Sequence, residues 1–296
     1  MRIGAVVVTY NSEGEITALL DSIPDAMGDL QWSVVVVDNG STDRTLELLS
    51  DRTDCTVIRS TNVGYAASIN RAVAASPTAD AILMLNPDVI LDPQSVEAMA
   101  GCLLRSGVGI VAPRVREHDG TLSPTLRRGP TILRASGLSF TGLPVFTERV
   151  EEPQDYETEH RVDWAVGAIL LISSRCFRDL SGMDESFFLY SEETDLCLRA
   201  ADVGWATWYT PLGGAVHIGG GSGVTVTNHT MKIINRVRLY RRRRSTPLTI
   251  VYFLLVLLTE VRRGLLGHRW SRAAALALIQ PSRRPPALHA DTLIPR

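Results

Sequence analysis

The chain has 296 residues, 45% hydrophobic and 21% charged, with a formal net charge of −2. That composition excludes a disordered or collagen-like protein and leaves a folded chain of one or two domains. Cys55, Cys102, Cys176 and Cys197 are scattered without a C-x-x-C pair, and the N-terminus lacks the apolar run and cleavage site of a signal peptide, which predicts buried thiols in a reducing, cytoplasmic setting.

Short β-branched runs at 3–8, 33–38, 55–60 and 81–86 read as buried strands. Between them lie helix signals: "SEGEITALLDSI", with Ser12 and Glu15 in capping-box spacing, then "STDRTLELLS" and "GYAASINRAVAAS". This alternation predicts an α/β fold with a mostly parallel central sheet covered by helices, in which ligands gather beyond the carboxyl ends of the strands. Thr9-Tyr10-Asn11, Asp38-Asn39-Gly40 and Asn86-Pro87-Asp88 fall there. Neither a G-x-G-x-x-G fingerprint nor a P-loop follows the first strand. Residues 113–160, rich in Pro, Gly, Arg and Glu, read as mobile loops, after which strand signal returns at "VDWAVGAILLISSRCF".

Four features occur in order: a strand ending in Asp38, "NVGYAASIN" (62–70), a strand ending in "NPD" (86–88), and "EETDLCLR" (192–199) followed by "HIGGGS" (217–222). Together, over roughly residues 3–225, they resemble family 2 glycosyltransferases of the GT-A fold, particularly the bacterial rhamnosyltransferase-like branch. The resemblance implies an inverting, metal-dependent transfer of a sugar from a nucleotide-diphosphate donor, with dTDP-rhamnose as the donor and a polyprenyl-diphosphate-linked glycan as the acceptor. A UDP-sugar donor (hexose, galactofuranose or N-acetylhexosamine) and a non-catalytic membrane-bound scaffold are the alternatives.

The resemblance also implies roles for residues. Asp38 accepts from the base, with Thr9 and Asn11 beside it, or else caps a turn. Gly64 lets backbone approach the donor, while Asn62 and Asn70 bond to it. Asp88 is the Mg2+ or Mn2+ ligand, in a D-x-D motif whose first place is taken by Asn86, a donor contact. His217 completes the metal site, and the glycines after it act as a hinge or a plain linker. Glu193 is the general base, one methylene longer than the usual Asp. Glu192 and Asp195 serve acceptor binding or the helix start, where the macrodipole also favours acids. Trp164, Gly167 and Ala168, in a W-x-x-G-A segment, border the acceptor, and a salt bridge accounts for Arg199.

Residues 1–231 hold 16 Arg and no Lys against 30 acidic residues, whereas 232–296 hold 13 Arg and Lys232 against Glu260 and Asp291 alone. The expected division is a catalytic domain over 1–228, with halves meeting near 112/113, and a separate basic, apolar, helical tail over 229–296. The apolar stretch from Leu248 to Leu258 covers only about half of a bilayer's hydrocarbon core. Flanked by arginines, with Tyr252 and Trp270 as headgroup-level anchors, it predicts peripheral docking on an anionic membrane surface at the cytoplasmic face. A buried helix or a homo-oligomer contact is the other reading. No nucleic-acid recognition motif accompanies the arginines.

Overall fold

The computed structural model describes residues 1–219 and 225–288. Its first half alternates β1 (Arg2–Thr9), α1 (Ile16–Met27), β2 (Gln31–Asp38), α2 (Thr45–Ser50), β3 (Thr56–Arg59), α3 (Tyr65–Ala75) and β4 (Ala81–Leu85), followed by β5 (Val89–Leu91), α4 (Ser95–Leu103) and β6 (Val108–Glu117). The second half carries β7 (Leu126–Arg127), α5 (Ile132–Ala135), β8 (His160–Val162), β9 (Trp164–Ala165), β10 (Ile169–Ser173), α6 (Ser174–Asp179), α7 (Glu192–Asp202) and β11 (Ala206–His217). Three helices close the described chain: α8 (Val226–Arg243), α9 (Thr246–Leu265) and α10 (Arg269–Ile279).

The main sheet has nine strands in the order β3-β2-β1-β4-β10-β6-β11-β5, with β8 paired to β11. The pairings set six strands in one direction and β5, β8 and β10 in the other. Both faces are covered: Ile3, Ala5 and Val7 of β1 enter one core, Val6 and Val8 the other. That is why these strands read as unbroken apolar runs. Because β10 is antiparallel to β4, its first residues lie beside the carboxyl end of β4, and Asn86 N–H donates to the Ala168 carbonyl at 2.9 Å. Residues 86–88 and 167–168 therefore meet at one edge.

Three expectations change. The capping box does not form: Ser12 Oγ accepts from Tyr10 N–H at 3.3 Å, and Glu15, the N-cap of α1, makes no side-chain cap bond. Ser12 is turned this way because its own N–H donates to Thr45 Oγ1 at 2.8 Å, tying the first loop to α2. Residues 113–160 are not free loops. Tyr156, fully buried, donates to the Val150 carbonyl and accepts from Leu126 N–H, and Tyr209 donates to the Tyr156 carbonyl.

The tail is the third. The expected boundary at 228/229 falls inside α8, which is stitched to the catalytic half along its length. Asn235 donates to the carbonyls of Leu189 and Tyr190 at 2.9 and 3.1 Å, and Arg238 to that of Ser186 at 3.1 Å. Arg242 pairs with Asp184, and Arg243 with Asp202 at 2.7 Å. The other side of α8 is sealed by α9 and α10 around Ile234, Val237, Tyr252, Val256 and Leu278, with Tyr240 and Tyr252 stacked at 3.8 Å between centroids. Of the arginines before Pro247, Arg242 and Arg243 are thus structural partners of acids, and Tyr252 is core rather than a headgroup anchor.

Candidate active site

At the nucleotide end, the parallel register sets Thr9 opposite Asp38. Thr9 Oγ1 donates to Asp38 Oδ2 at 3.0 Å, Ser41 Oγ donates to the same oxygen, and the N–H groups of Gly40 and Ser41 donate to Oδ1 at 3.1 and 3.0 Å. The buried carboxylate therefore fixes the turn, using its acceptor sites. Asn11, at φ 53°, clamps the neighbouring loop by accepting from Thr42 N–H at 2.8 Å.

The "NVGYAASIN" segment behaves differently from expectation. Gly64 has φ 93°, and a Cβ there would lie 2.6 Å from the Phe188 carbonyl oxygen, so the glycine admits the backbone of the "FFLYSEE" loop rather than a ligand. Tyr65 N–H bonds that same carbonyl at 2.8 Å. Asn62 accepts from Gly64 N–H at 3.2 Å. Asn70 spends its amide on Met183 and Glu185, each bond 2.9 Å. It holds the loop before the acids in place and is not aimed at a donor.

Asp88 and His217 converge as the sequence predicts. His217 pairs with Val89 across β5 and β11, and its Nε2 lies 3.1 Å from Asp88 Oδ2, with Glu117 3.9 Å from Nδ1. The bond to Asp88 raises the His217 pKa, against the effect of burial. Asp88 Oδ1 is buried without a partner among the described residues. Glu15, which sequence reasoning passed over, lies close enough that burial and the Asp88 charge push its carboxyl up. An orphaned carboxylate oxygen, an imidazole and crowded negative charge fit a divalent cation. Among the described residues no three His, Cys, Asp or Glu side chains could hold one unaided, so Asp88 and His217 would share it with ligand oxygens. Of the glycines after His217, 220, 221 and 223 lie outside the described residues.

The acids follow two residues in left-handed conformation, Tyr190 and Ser191, at φ 69° and 74°. Such geometry costs about 1–3 kcal/mol per residue and persists only where surroundings impose it. Here Asn235 of α8 holds the carbonyls of Leu189 and Tyr190. The turn drives Glu192 and Glu193 into the interior, where Oε2 of each is buried with no partner among the described residues. Burial, then the neighbouring Glu193, holds Glu192 well above the usual carboxylate range. Burial also raises Glu193, but Lys232 and Arg127 oppose it. Of the two, Glu193 is therefore the one to ionise. Its side chain packs on Gly167, whose added Cβ would meet Glu193 Cβ at 3.2 Å.

Three residues join the site that sequence reasoning missed. Tyr65 has a hydroxyl that is buried and unpartnered among the described residues, near enough to Glu192, Glu193 and Asp88 to feel their charges. Lys232 and Arg127 are the cations beside Glu193. Tyr65 stands inside the "NVGYAASIN" motif, which does not single it out, and no local motif marks Arg127 or Lys232. Asp195, by contrast, bonds Arg199 at 2.6 Å, and Arg199 reaches the carbonyls of Leu180 and Gly182. Its place is in the scaffold, away from the proton-transfer position. Trp164 donates to the Arg128 carbonyl at 3.1 Å and carries Arg127 near its ring, 5.9 Å from the centroid, so it braces the cleft wall.

A model of glycosyl transferase family 2 matches residues 5–161. The chain belongs to that family. It is a glycosyltransferase, 29% identical over 229 residues to N-acetylglucosaminyl-diphospho-decaprenol L-rhamnosyltransferase of Mycobacterium tuberculosis, covering 72% of this chain and 74% of that one. Rhamnosyltransferase WbbL of Escherichia coli is 24% identical over 230 residues, covering 72% and 81%. Among solved structures, mannosyltransferase PcManGT from Pyrobaculum calidifontis, in complex with GDP-Man and Mn2+, superposes with a TM-score of 0.57 at 18% identity over 95% of this chain and 82% of that one. GalNAc-T7 with UDP, GalNAc and Mn2+ gives 0.60 at 14% over 81% and 47%. These likenesses establish the GT-A fold.

The electrostatics of this glycosyltransferase give a pH signature. Glu193 is raised by burial, so its ionised form is lost as pH falls through a pKa above the ordinary 4.5 of a glutamate. The acid limb of kcat/KM is expected above that value, and Lys232→Gln, which removes a cation favouring the ionised form, should move the limb to higher pH. A limb at or below the ordinary value, unmoved in Lys232→Gln, contradicts the assignment.

Proposed function

We propose that this enzyme transfers L-rhamnose from dTDP-rhamnose to a polyprenyl-diphosphate-linked glycan with inversion, in cell-envelope polysaccharide synthesis. The observation that supports the reaction type is a pair of buried carboxylate oxygens without partners among the described residues, Glu193 Oε2 and Asp88 Oδ1, both near enough to Tyr65 to act on its hydroxyl; Glu193 would serve the acceptor and Asp88 the donor. The names of the Mycobacterium tuberculosis and Escherichia coli relatives support rhamnose as the sugar, and the first supports a diphospho-decaprenol acceptor.

Glu193 takes the proton of the acceptor hydroxyl as that oxygen attacks the anomeric carbon, and the bond from that carbon to the donor diphosphate breaks with its electrons. One displacement inverts the centre. Glu192, whose carboxyl burial and Glu193 hold well above the usual range, favours its neutral form and so leaves the charge of the glutamate pair to Glu193. When bound, Mg2+ or Mn2+ held by Asp88 and His217 would neutralise the departing diphosphate. Asp38, with Thr9 and Asn11, meets the base, accepting from it when the Ser41 hydroxyl gives way. Asn62 and Asn86 line the donor path, and Gly167 and Ala168 floor the acceptor side.

Turnover measured over a panel of nucleotide sugars tests this directly. Glu193→Gln should lower kcat by about 10²–10⁴-fold with donor affinity retained, and Glu193→Asp should keep part of the activity. Asp88→Ala or chelator should abolish turnover with dTDP-rhamnose. Full activity in chelator, or in Glu193→Gln, overturns the mechanism; preference for a UDP-sugar overturns the donor.

The exposed side of α9 supports peripheral membrane binding. Helix α9 is apolar on both sides: Tyr252, Phe253 and Val256 are core, whereas Val251, Leu254 and Leu258 face outward, the last 63% exposed. Beside this helix, through α5, stand the exposed Leu133, Phe140, Leu143 and Val145. Among the described residues no helix is long and apolar enough to cross a membrane. The patch, flanked by Arg262, Arg263 and Arg269, suits an anionic interface. Leu254→Glu/Leu258→Glu should stop sedimentation with phosphatidylglycerol liposomes and keep nucleotide binding; unchanged sedimentation contradicts this.

A further inference from the structure

We propose that Arg127 and Lys232 form a subsite beside Glu193 for the diphosphate of a lipid-linked acceptor, separate from the Asp88–His217 pair. The inference rests on the glycosyltransferase reading and adds to it the group that the acceptor presents.

Arg127 ends β7, and its Nη1 donates to the carbonyls of Pro124 and Leu126 at 2.6 and 2.8 Å while its guanidinium lies near the Trp164 ring. Backbone atoms, rather than an acid, fix its orientation. Among the described residues it has no ion pair, and its Nε and Nη2 bond to no protein atom. Lys232 stands one helical turn before Arg236 on α8. Arg236 is neutralised by Glu148 at 2.7 Å and held by the Arg134 carbonyl at 3.1 Å. Lys232 has neither hydrogen bond nor ion pair among the described residues; it is solvent-exposed in area, yet crowding and the Arg127 charge hold its pKa below the lysine range.

The two cations share a nearby acid, Glu193, without an ion pair to it, so net positive charge remains beside it in the free protein, and an anionic ligand offsets that charge. A guanidinium fork and an ammonium match the oxygens of a diphosphate. Location separates this subsite from the donor's: Arg127 lies in the small β7–β9 sheet and Lys232 on α8, whereas Asp88 and His217 lie at the β5–β11 pairing of the main sheet. The wall also leads outward. Arg134 bonds the Gly129 carbonyl at 2.6 Å, and Thr259 of α9 bonds the Ala135 carbonyl at 3.4 Å. Residues 127–136 thus connect the cation pair to the exposed apolar face of α9. A lipid chain on that face, a diphosphate at Arg127 and Lys232 and a sugar hydroxyl at Glu193 form one continuous path.

Calorimetric titration of the full chain with geranyl diphosphate, in chelator and without donor, tests the subsite independently of turnover and of the donor's identity. Wild type should bind saturably, inorganic pyrophosphate should compete, and geraniol should not. Arg127→Gln and Lys232→Gln should each weaken binding about tenfold or more, and the double variant should abolish it. Melting temperature and nucleotide binding in Mn2+ establish that each variant is folded. Absence of saturable binding to wild type, unchanged affinity in the folded double variant, or an equal loss in Asp88→Asn, which would place the ligand in the donor site, overturns the proposal.

Discussion

Two adjacent glutamates cannot both be charged in a protein interior without a large electrostatic penalty, and the start of α7 places Glu192 and Glu193 there together. Burial favours the neutral form of each, and each charge opposes the other. The surroundings break the tie. Lys232 and Arg127 favour a charge on Glu193, whereas backbone bonds are all that oppose the rise at Glu192. Residues from both halves of the chain serve to hold this asymmetric pair. Gly64 admits the loop that precedes it, Asn70 and Arg199 fix that loop's start, and Asn235 imposes the left-handed turn at Tyr190 and Ser191.

This dependence explains why α8 cannot be an appendage. Its Asn235, Arg238, Arg242 and Arg243 bond the acidic loop and α7, and its Lys232 reaches the cleft. Helices α9 and α10 then cover the apolar side that α8 would otherwise expose. The same packing leaves one side of α9 outward, so a single helix contributes both core and a surface suited to lipid. Part of the charge imbalance along the sequence is met by internal ion pairs between the basic C-terminal segment and the acidic catalytic half, Arg236 with Glu148, Arg242 with Asp184 and Arg243 with Asp202.

Strands with both faces buried were legible because β-branched runs such as 33–37 carry their own signal, and Asp38, Asp88 and Glu193 were legible because they end strands or begin a helix within a recognisable order of motifs. Asp88 and His217 meet as predicted because β5 and β11 pair in register. What stayed hidden depends on contacts distant in sequence. Tyr65, Arg127 and Lys232 come to Glu193 from α3, β7 and α8; Tyr65 stands in a recognised motif that does not single it out, and nothing around the other two announces them. Gly64 and Asn70 sat in the right motif but contact the acidic loop, a partner more than a hundred residues away. At 113–160 the loop reading holds for most of the segment, and what composition hid is its anchoring through Tyr156 and Tyr209.

The central claim is that Glu192 is protonated and Glu193 ionised in the resting enzyme at neutral pH. Infrared difference spectroscopy on protein carrying carboxyl-labelled glutamate reads the carbonyl stretch that only a protonated acid shows. The account predicts that band at neutral pH in wild type and in Glu193→Gln, and its disappearance in Glu192→Gln. A band that survives in Glu192→Gln and vanishes in Glu193→Gln would reverse the two roles and contradict the account.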